Sequence, residues 1–338
     1  NVAPEALRSG NYRGVRTMPL LFHPADDNML LFGTNVLWKT MNGGQSWEII
    51  SPDLTYEQPP VPASVGDFKT KEMETMRRRG VIYALGPSPL DRDIIWAGTD
   101  DGRVHVTTDG GANWADVTPP TMTSWDKVSQ IDASHFDKNT AYLAINAIRK
   151  DDMTPYVYRT RDGGKTWVLL NDGMNPMGPV NVVREDPKQK GLLYAGTERE
   201  VYFSVDDGVN WQSLRNNMPA TSIRDLVIHE DDLVVGTHGR SIWIMDHISP
   251  LREMAKSKTG KAYLYGPADT YRVRWNMFSD TPLPPEEPTG TNPPDGAPID
   301  YQLNQPAKLI QLEILNADGS LIRRYRSDDP EEERDTLS

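Results

Sequence analysis

Cysteine is absent from all 338 residues. That excludes a disulfide framework, thiolate ligation of a metal and a cysteine nucleophile. No run of apolar residues approaches the ~18 needed to cross a bilayer, and mean hydropathy is −0.58. Positive charge is also short, with 36 Lys and Arg against 48 Asp and Glu and a net charge of −12. Neutralising a phosphate backbone needs a basic face, so nucleic acid is excluded as a partner. The six histidines show neither H-E-x-x-H nor paired zinc spacing, so no metal is expected. No G-x-S-x-G elbow or phosphate-cradling glycine loop occurs, and no cofactor is expected. The start, Asn1-Val2-Ala3, carries no initiator methionine and no apolar leader, which suggests a processed product or a piece of a longer chain.

What the chain has instead is repetition. One short sentence recurs four times, at 40–47 (TMNGGQSW), 107–114 (TTDGGANW), 160–167 (TRDGGKTW) and 204–211 (SVDDGVNW). Each copy follows one short apolar run and opens another, as the turn of a hairpin does. Glycines allow the tight reversal, while the acidic residue and the hydroxyl can bond amides across it. The closing tryptophan then buries a large ring. We assign the box residues Asn42, Trp47, Asp109, Trp114, Asp162, Trp167, Asp206 and Trp211 to the scaffold. A catalytic or calcium-binding carboxylate is not needed four times at one structural position.

A second signal runs in phase with the first. Gly-Thr closes an apolar run at 33, 98, 196 and 236, nine to eleven residues before the box position; in the fifth copy that position is Asp246, a decayed box. The pattern predicts five modules of four short strands, at about 17–52, 80–118, 127–171, 179–215 and 222–250, the last without its fourth strand. Repeats of this length with four strands each are propeller blades. The expected fold is therefore all-β. Residues 1–16 form a lead-in, 251–298 a connector with a short helix over 251–261, strands at 262–265 and 271–275 and a Pro-rich stretch. Residues 299–327 form a partial β-sandwich-like module of three strands, and 328–338 an acidic tail.

The Ser/Thr-x-Asp-x-Gly-x-x-Trp pattern resembles the Asp-box, or BNR repeat, of sialidases, two-propeller xyloglucanases and sortilin-type receptors. More specifically, SPDLT at 51–55, AGTDDGRVHVTTDGGANW, AGTEREVYFSVDDGVNW and VGTHGRSIWIMD are similar to large bacterial BNR-repeat "glycosyl hydrolases" with sortilin-like domains. Residues 292–327 resemble the immunoglobulin-like module of flagellar-hook-capping type found at their C-terminal end. The resemblance implies a secreted protein, extracellular or periplasmic, with further blades upstream. It marks fold rather than activity. No arginine triad is singled out by spacing, which disfavours a sialidase.

In a propeller the boxes lie on one face, and the turns between second and third strands lie on the other with the blade connectors. That opposite rim receives Asn35, Asp100, Asp101, Arg149, Asp151, Asp152, Glu198, Glu200, His238 and Arg240, together with the long connector 52–79. Asp101 and Glu198 are candidates for the acid and base of glycoside hydrolysis, which needs two carboxyl groups flanking the scissile bond. Trp125 is a candidate sugar-stacking ring, with Trp96 and Tyr156 better suited to packing. The leading expectation is a non-catalytic platform binding a protein, peptide or glycan on this rim. The alternatives are a xyloglucanase-like glycoside hydrolase, and a structural subunit of a surface assembly. Five blades leave strand edges to be covered by upstream blades or other chains.

Overall fold

The computed structural model describes residues 3–8, 10, 12–257, 260–270, 286, 290 and 296–330. Its first compact unit, Asn1–Arg252, is built from five antiparallel meanders. Blade one comprises β1 (Leu20–His23), β2 (Asp26–Gly33), β3 (Leu37–Thr40) and β4 (Glu48–Ile49). The connector to the next blade carries a short helix, α1 (Lys71–Thr75). Blade two comprises β5 (Ile82–Pro87), β6 (Ile95–Thr99), β7 (Val104–Thr107) and β8 (Ala115–Asp116). Blade three comprises β9 (Lys127–Ala133), β10 (Ala141–Asn146), β11 (Tyr156–Thr160) and β12 (Val168–Leu169). Blade four comprises β13 (Val180–Glu185), β14 (Leu193–Thr197), β15 (Val201–Ser204) and β16 (Gln212–Ser213). Blade five stops after β17 (Ile223–His229), β18 (Asp232–Thr237) and β19 (Ile242–Met245). This is the five-blade all-β propeller that the repeat predicts.

The second strands read as continuous apolar runs because both of their faces are covered. Every residue of β6, β10 and β14 is buried. The recurring glycine of β2, β6 and β14 provides a seat for the following blade. A carbon added to Gly98 would lie 2.3 Å from Val128 of blade three, and one added to Gly196 would lie 2.5 Å from Ile223 of blade five. Ile82 of blade two fills the same seat at Gly33.

The boxes work between blades as well as within them. Inside the third box, Asp162 accepts bonds from the Thr160 hydroxyl (2.9 Å), the Thr166 amide (2.9 Å) and the Thr166 hydroxyl (2.7 Å). Thr160 in turn accepts from the Gly164 amide at 2.9 Å. In the first box Asn42 accepts from the Thr40 hydroxyl (2.9 Å) and the Ser46 amide (3.0 Å), and donates its side-chain N–H to the Ser46 hydroxyl (2.9 Å). The tryptophans of the second, third and fourth boxes then donate their indole N–H backwards, to the carbonyl just past the fourth strand of the preceding blade. Trp114 reaches Ile50 (2.8 Å), Trp167 reaches Val117 (2.7 Å) and Trp211 reaches Leu170 (3.2 Å). In the fourth box Asp207 adopts the left-handed φ of 61° that glycine supplies in the others. Its carboxylate is held by Tyr142 at 2.6 Å and Arg159 at 2.6 Å.

The lead-in is not idle. Ala6, Leu7, Tyr12 and Met18 pack on Phe32, Val36 and Trp38, and the Arg13 guanidinium binds Asp53 at 2.8 Å. After blade five, α2 (Ser249–Ser257) begins, and Arg252 grips the buried carboxylate of Asp186 at 3.0 Å.

The second unit, Glu253–Ser338, departs from the expected three-stranded module. β20 (Ala262–Leu264) pairs with β21 (Tyr301–Leu303), while β22 (Gln311–Leu315) and β23 (Leu321–Arg326) form a separate hairpin. The Asn316–Gly319 turn closes that hairpin locally, so β22 and β23 need no third strand to pair. The strand expected at 271–275, most of the Pro-rich stretch and the tail from 331 lie outside the described residues.

Candidate functional site

The box turns bond to the turns between first and second strands, as Gly110 does to Asp93 (2.9 Å) and Gly163 to Asn139 (2.9 Å). The opposite face is therefore free of them. There the first strands of blades two to five share an irregularity that the sequence does not announce. Each carries a β-bulge near its start, whose extra residue is Tyr83, Ser129, Asn181 or Arg224. A bulge breaks the alternation of side chains and re-aims one of them, and bulges are frequent beside active sites.

The re-aimed residues build a polar cluster. Lys127 lies over the Tyr83 ring, 4.7 Å from its centre. Asn181 accepts from Asn146 at 2.8 Å and donates to Glu198 at 3.0 Å and to the Ile223 carbonyl at 3.0 Å. Arg224 pairs with Glu198 at 3.3 Å. Burial pushes the Lys127 pKa down, and the Arg149 and Arg224 charges add to this against the opposing pull of Tyr83 and Glu198. Burial alone would raise the Glu198 pKa. The Asn181 bond and the charges of Arg224 and Lys127 outweigh that and hold the carboxyl below its ordinary range.

Next to this cluster, Asp100 accepts from the Val81 amide (2.8 Å) and pairs with Arg149 (3.2 Å). Asp101 lies deeper, only 6 % exposed. Its carboxylate accepts from the Thr99 hydroxyl at 2.6 Å and from the Tyr56 amide of the connector at 3.0 Å. Burial pushes Asp101 up to about 6 despite those bonds. The residue whose amide bonds the Asp101 carbonyl is Trp125, half-buried and held at a left-handed φ of 71°. Non-glycine residues seldom adopt such an angle, and it costs on the order of 1 kcal/mol or more.

A cleft of about 410 Å3 opens between the connector at Pro60–Ser64 and the loops carrying Ser124, Lys150 and Asp152. Lys150 pairs with Asp126 at 2.5 Å, and Asp152 accepts from the Tyr156 hydroxyl at 2.8 Å. Hydrogen bonds from Thr154 and Tyr156 and the Lys150 charge outweigh burial and lower the Asp152 pKa.

The structure thus pairs Asp100 with Arg149 and sets Glu198 among Asn181, Arg224 and Lys127, while Asp101 is buried against the connector and Asp152 stands at the cleft. Other rim candidates are spent on scaffold. Asn35 is buried between Arg13 and Asp53, and Glu200 serves Tyr202 and Ser213 on outer strands. Asp151 caps a short helical turn in a left-handed conformation. His238 and Arg240 stand exposed on blade five. Trp96 is 1 % exposed and meets Trp167 edge-on, so it is a core residue; Tyr156 stacks parallel to Tyr158. Sequence reasoning missed Tyr83, Lys127, Asn181 and Arg224. The only local hint is a polar or aromatic residue directly after a β-branched one near the start of the first strands of blades two to five, at Ile82, Val128, Val180 and Ile223. Among the described residues no group of three His, Cys, Asp or Glu is placed to hold a metal ion.

No protein-family profile matches the chain. Among curated proteins it is similar to an oligoxyloglucan-reducing end-specific xyloglucanase of Emericella nidulans, 30% identical over 108 residues. It is also similar to a xyloglucanase of a Paenibacillus species, 31% identical over 127 residues. These stretches cover 30% and 34% of this chain, but the chain spans only 13% and 11% of those two proteins. Solved structures like it include a GH74 xyloglucanase from Xanthomonas campestris, with a TM-score of 0.49 and 18% identity. That match covers 70% of this chain and 37% of the other. Another is YCF48 bound to D1 peptide, with a TM-score of 0.42, 17% identity and 69% of each chain covered. The sequence relatives are enzymes by name. They overturn the expectation of a non-catalytic platform, which rested on charged turns being commonplace on any propeller rim.

Proposed function

We propose that the chain is the propeller part of a glycoside hydrolase acting on a xyloglucan-like β-glucan. The observation that carries this is its 30–31% identity to two xyloglucanases over more than a hundred residues. The box repeat supports the finer placement among BNR-repeat glycosyl hydrolases. In this reading the sugar chain lies across the face opposite the boxes, beside the connector 52–79. The charged and amide side chains there suit sugar hydroxyls, and Trp125 offers a ring edge beside them.

Two carboxyl groups with opposite tendencies meet the electrostatic need of the reaction. Glu198, kept ionised by Lys127 and Arg224, takes the base or nucleophile role; Asp101, raised to about 6, takes the acid role. Asp101 stands behind the Tyr56 amide, so the connector must lift for it to reach a glycosidic oxygen. An extracellular or periplasmic setting goes with a polysaccharide substrate, and no helix among the described residues is long and apolar enough to cross a membrane. The test is release of oligosaccharides from xyloglucan, followed by chromatography. Glu198→Gln is expected to lower the rate by ~10²–10⁴-fold. No release by the protein, or an unchanged rate in both Glu198→Gln and Asp101→Asn, would overturn the proposal.

A further inference from the structure

Among the described residues three lysines are half-buried, Lys39, Lys127 and Lys150. Two of them are neutralised, Lys39 by Glu48 at 3.2 Å and Lys150 by Asp126 at 2.5 Å. Lys127 is not. Its ammonium forms no hydrogen bond or ion pair among the described residues and rests instead over the Tyr83 ring. An aromatic face attracts a cation but leaves its three N–H donors without a proper acceptor. Holding such a group out of water costs free energy, which an arriving acceptor recovers.

The charges around Lys127 do not supply that acceptor. Arg149 and Arg224 bear on it with the same sign, and Glu198 is the carboxylate that opposes them. Glu198 already accepts from Arg224 (3.3 Å) and Asn181 (3.0 Å). Asp100 already accepts from Arg149 (3.2 Å) and the Val81 amide (2.8 Å). Three cations thus face two carboxylates, which leaves one positive charge in excess. The arginines also have donors to spare. Arg149 and Arg224 each use only Nη1 in these contacts, so the Nε and Nη2 of each are unspent among the described residues. A carboxylate matches both a guanidinium fork and an ammonium, and its single charge equals the excess. A phosphate monoester, with nearly two negative charges, would exceed it.

We infer that Lys127, flanked by Arg149 and Arg224, seats the carboxylate of an acidic sugar, a uronate unit of the glucan lying on this face. The inference rests on the reading that a sugar chain crosses the face opposite the boxes. It narrows the substrate from a neutral to a uronate-bearing β-glucan. The sugar carboxylate supplies the acceptor that Lys127 lacks.

Isothermal titration calorimetry with cellobiouronic acid and cellobiose tests this, since the two differ only by a carboxylate in place of one hydroxymethyl group. The wild-type protein is expected to bind the acid on the order of 10–100-fold more tightly. Added salt should shrink the preference, as it does for any charge contact open to solvent. Lys127→Met keeps an unbranched stem over Tyr83 and breaks no hydrogen bond. With a circular dichroism spectrum matching the wild type, it is expected to lose the preference. Equal binding of the two disaccharides by the wild type, a preference unmoved by salt, or one kept by Lys127→Met would each refute the inference. If neither disaccharide binds, the glycan reading of this face falls with it. A protein that prefers the acid but releases nothing from xyloglucan keeps this seat and loses only the proposed hydrolysis of that polymer.

Discussion

The glycine seat allows the inter-blade packing to be tested at two positions that differ only in what lies opposite. In Gly98→Ala the new methyl would sit 2.3 Å from Val128 Cγ1, 2.7 Å from its Cβ and 3.0 Å from Ile131 Cδ1. Carbon atoms settle at about 3.5–4.0 Å, so something must move. Val128 and Ile131 are 0% and 1% exposed, β-branched and enclosed by blades two and three. They have few alternative rotamers, and the strain falls on the blade-to-blade spacing. Overpacking of this kind costs about 1–3 kcal/mol. Gly236→Ala meets its first atom at 3.6 Å and incurs no such cost. It retains the ~0.4–1 kcal/mol gained by restricting the unfolded chain. That gain is common to both variants, so they should differ by the overpacking cost, roughly 1–3 kcal/mol. With a urea dependence of about 3 kcal/mol/M, that is about 0.3–1 M between unfolding midpoints. The assay is urea unfolding followed by tryptophan fluorescence. Equal midpoints, or a Gly236→Ala variant weaker than Gly98→Ala, would show that the seat does not hold blades together.

Trp167→Phe keeps a ring at the blade junction but leaves the Val117 carbonyl without its 2.7 Å partner, and should lower stability by about 1–3 kcal/mol in the same assay. Asp162→Asn should leave the unfolding midpoint where it is, because Asn42 already makes the same turn in blade one; a clear loss would mean the carboxylate charge matters. Asp101 supplies a pH test. Its folded pKa, about 6, exceeds the ordinary aspartate value of 3.8, so its stabilising share is complete below pH ~4 and is lost as pH rises through about 6. Relative to Asp101→Asn, the wild type should lose up to ~3 kcal/mol between pH 4 and pH 7. A difference between the two proteins that is flat with pH would place Asp101 in contact with water.

The fold was legible because it is written several times over. A tryptophan two strands after the Gly-Thr at 33, 98 and 196 gave the phase, and short apolar runs gave the strands. Even the missing fourth strand of blade five could be read from the decay around Asp246. The C-terminal unit was less legible. Each of its strands occurs once, so nothing in the sequence told that β21 would turn back to β20 rather than join β22. The rim was legible as a set of turns but not as a site. Asn35 and Glu200 look like Asp100 and Glu198 in sequence. What separates them is the company each finds, Arg13 and Asp53 for one and Tyr202 for the other, and those partners lie up to 22 residues away.

The missed residues point to how one repeat can carry both structure and chemistry. In blades two to four the indole N–H of the box closes the last carbonyl of the blade before it. That requirement pins the residues of the box face. The bulge on the opposite face has the contrary property. It recurs in the first strands of blades two to five, while the side chain at the extra position differs in each. Ser129 uses it to reach the Val180 carbonyl at 3.1 Å, and Asn181 to reach the Ile223 carbonyl at 3.0 Å while also holding Glu198. Arg224 uses it to neutralise Glu198 from the neighbouring blade. A uniform backbone device thus yields a different polar group in each blade, all aimed at one face. The catalytic candidates then follow from where that variety converges, and Glu198, touched by two of the four bulged residues, is the carboxylate on which it converges.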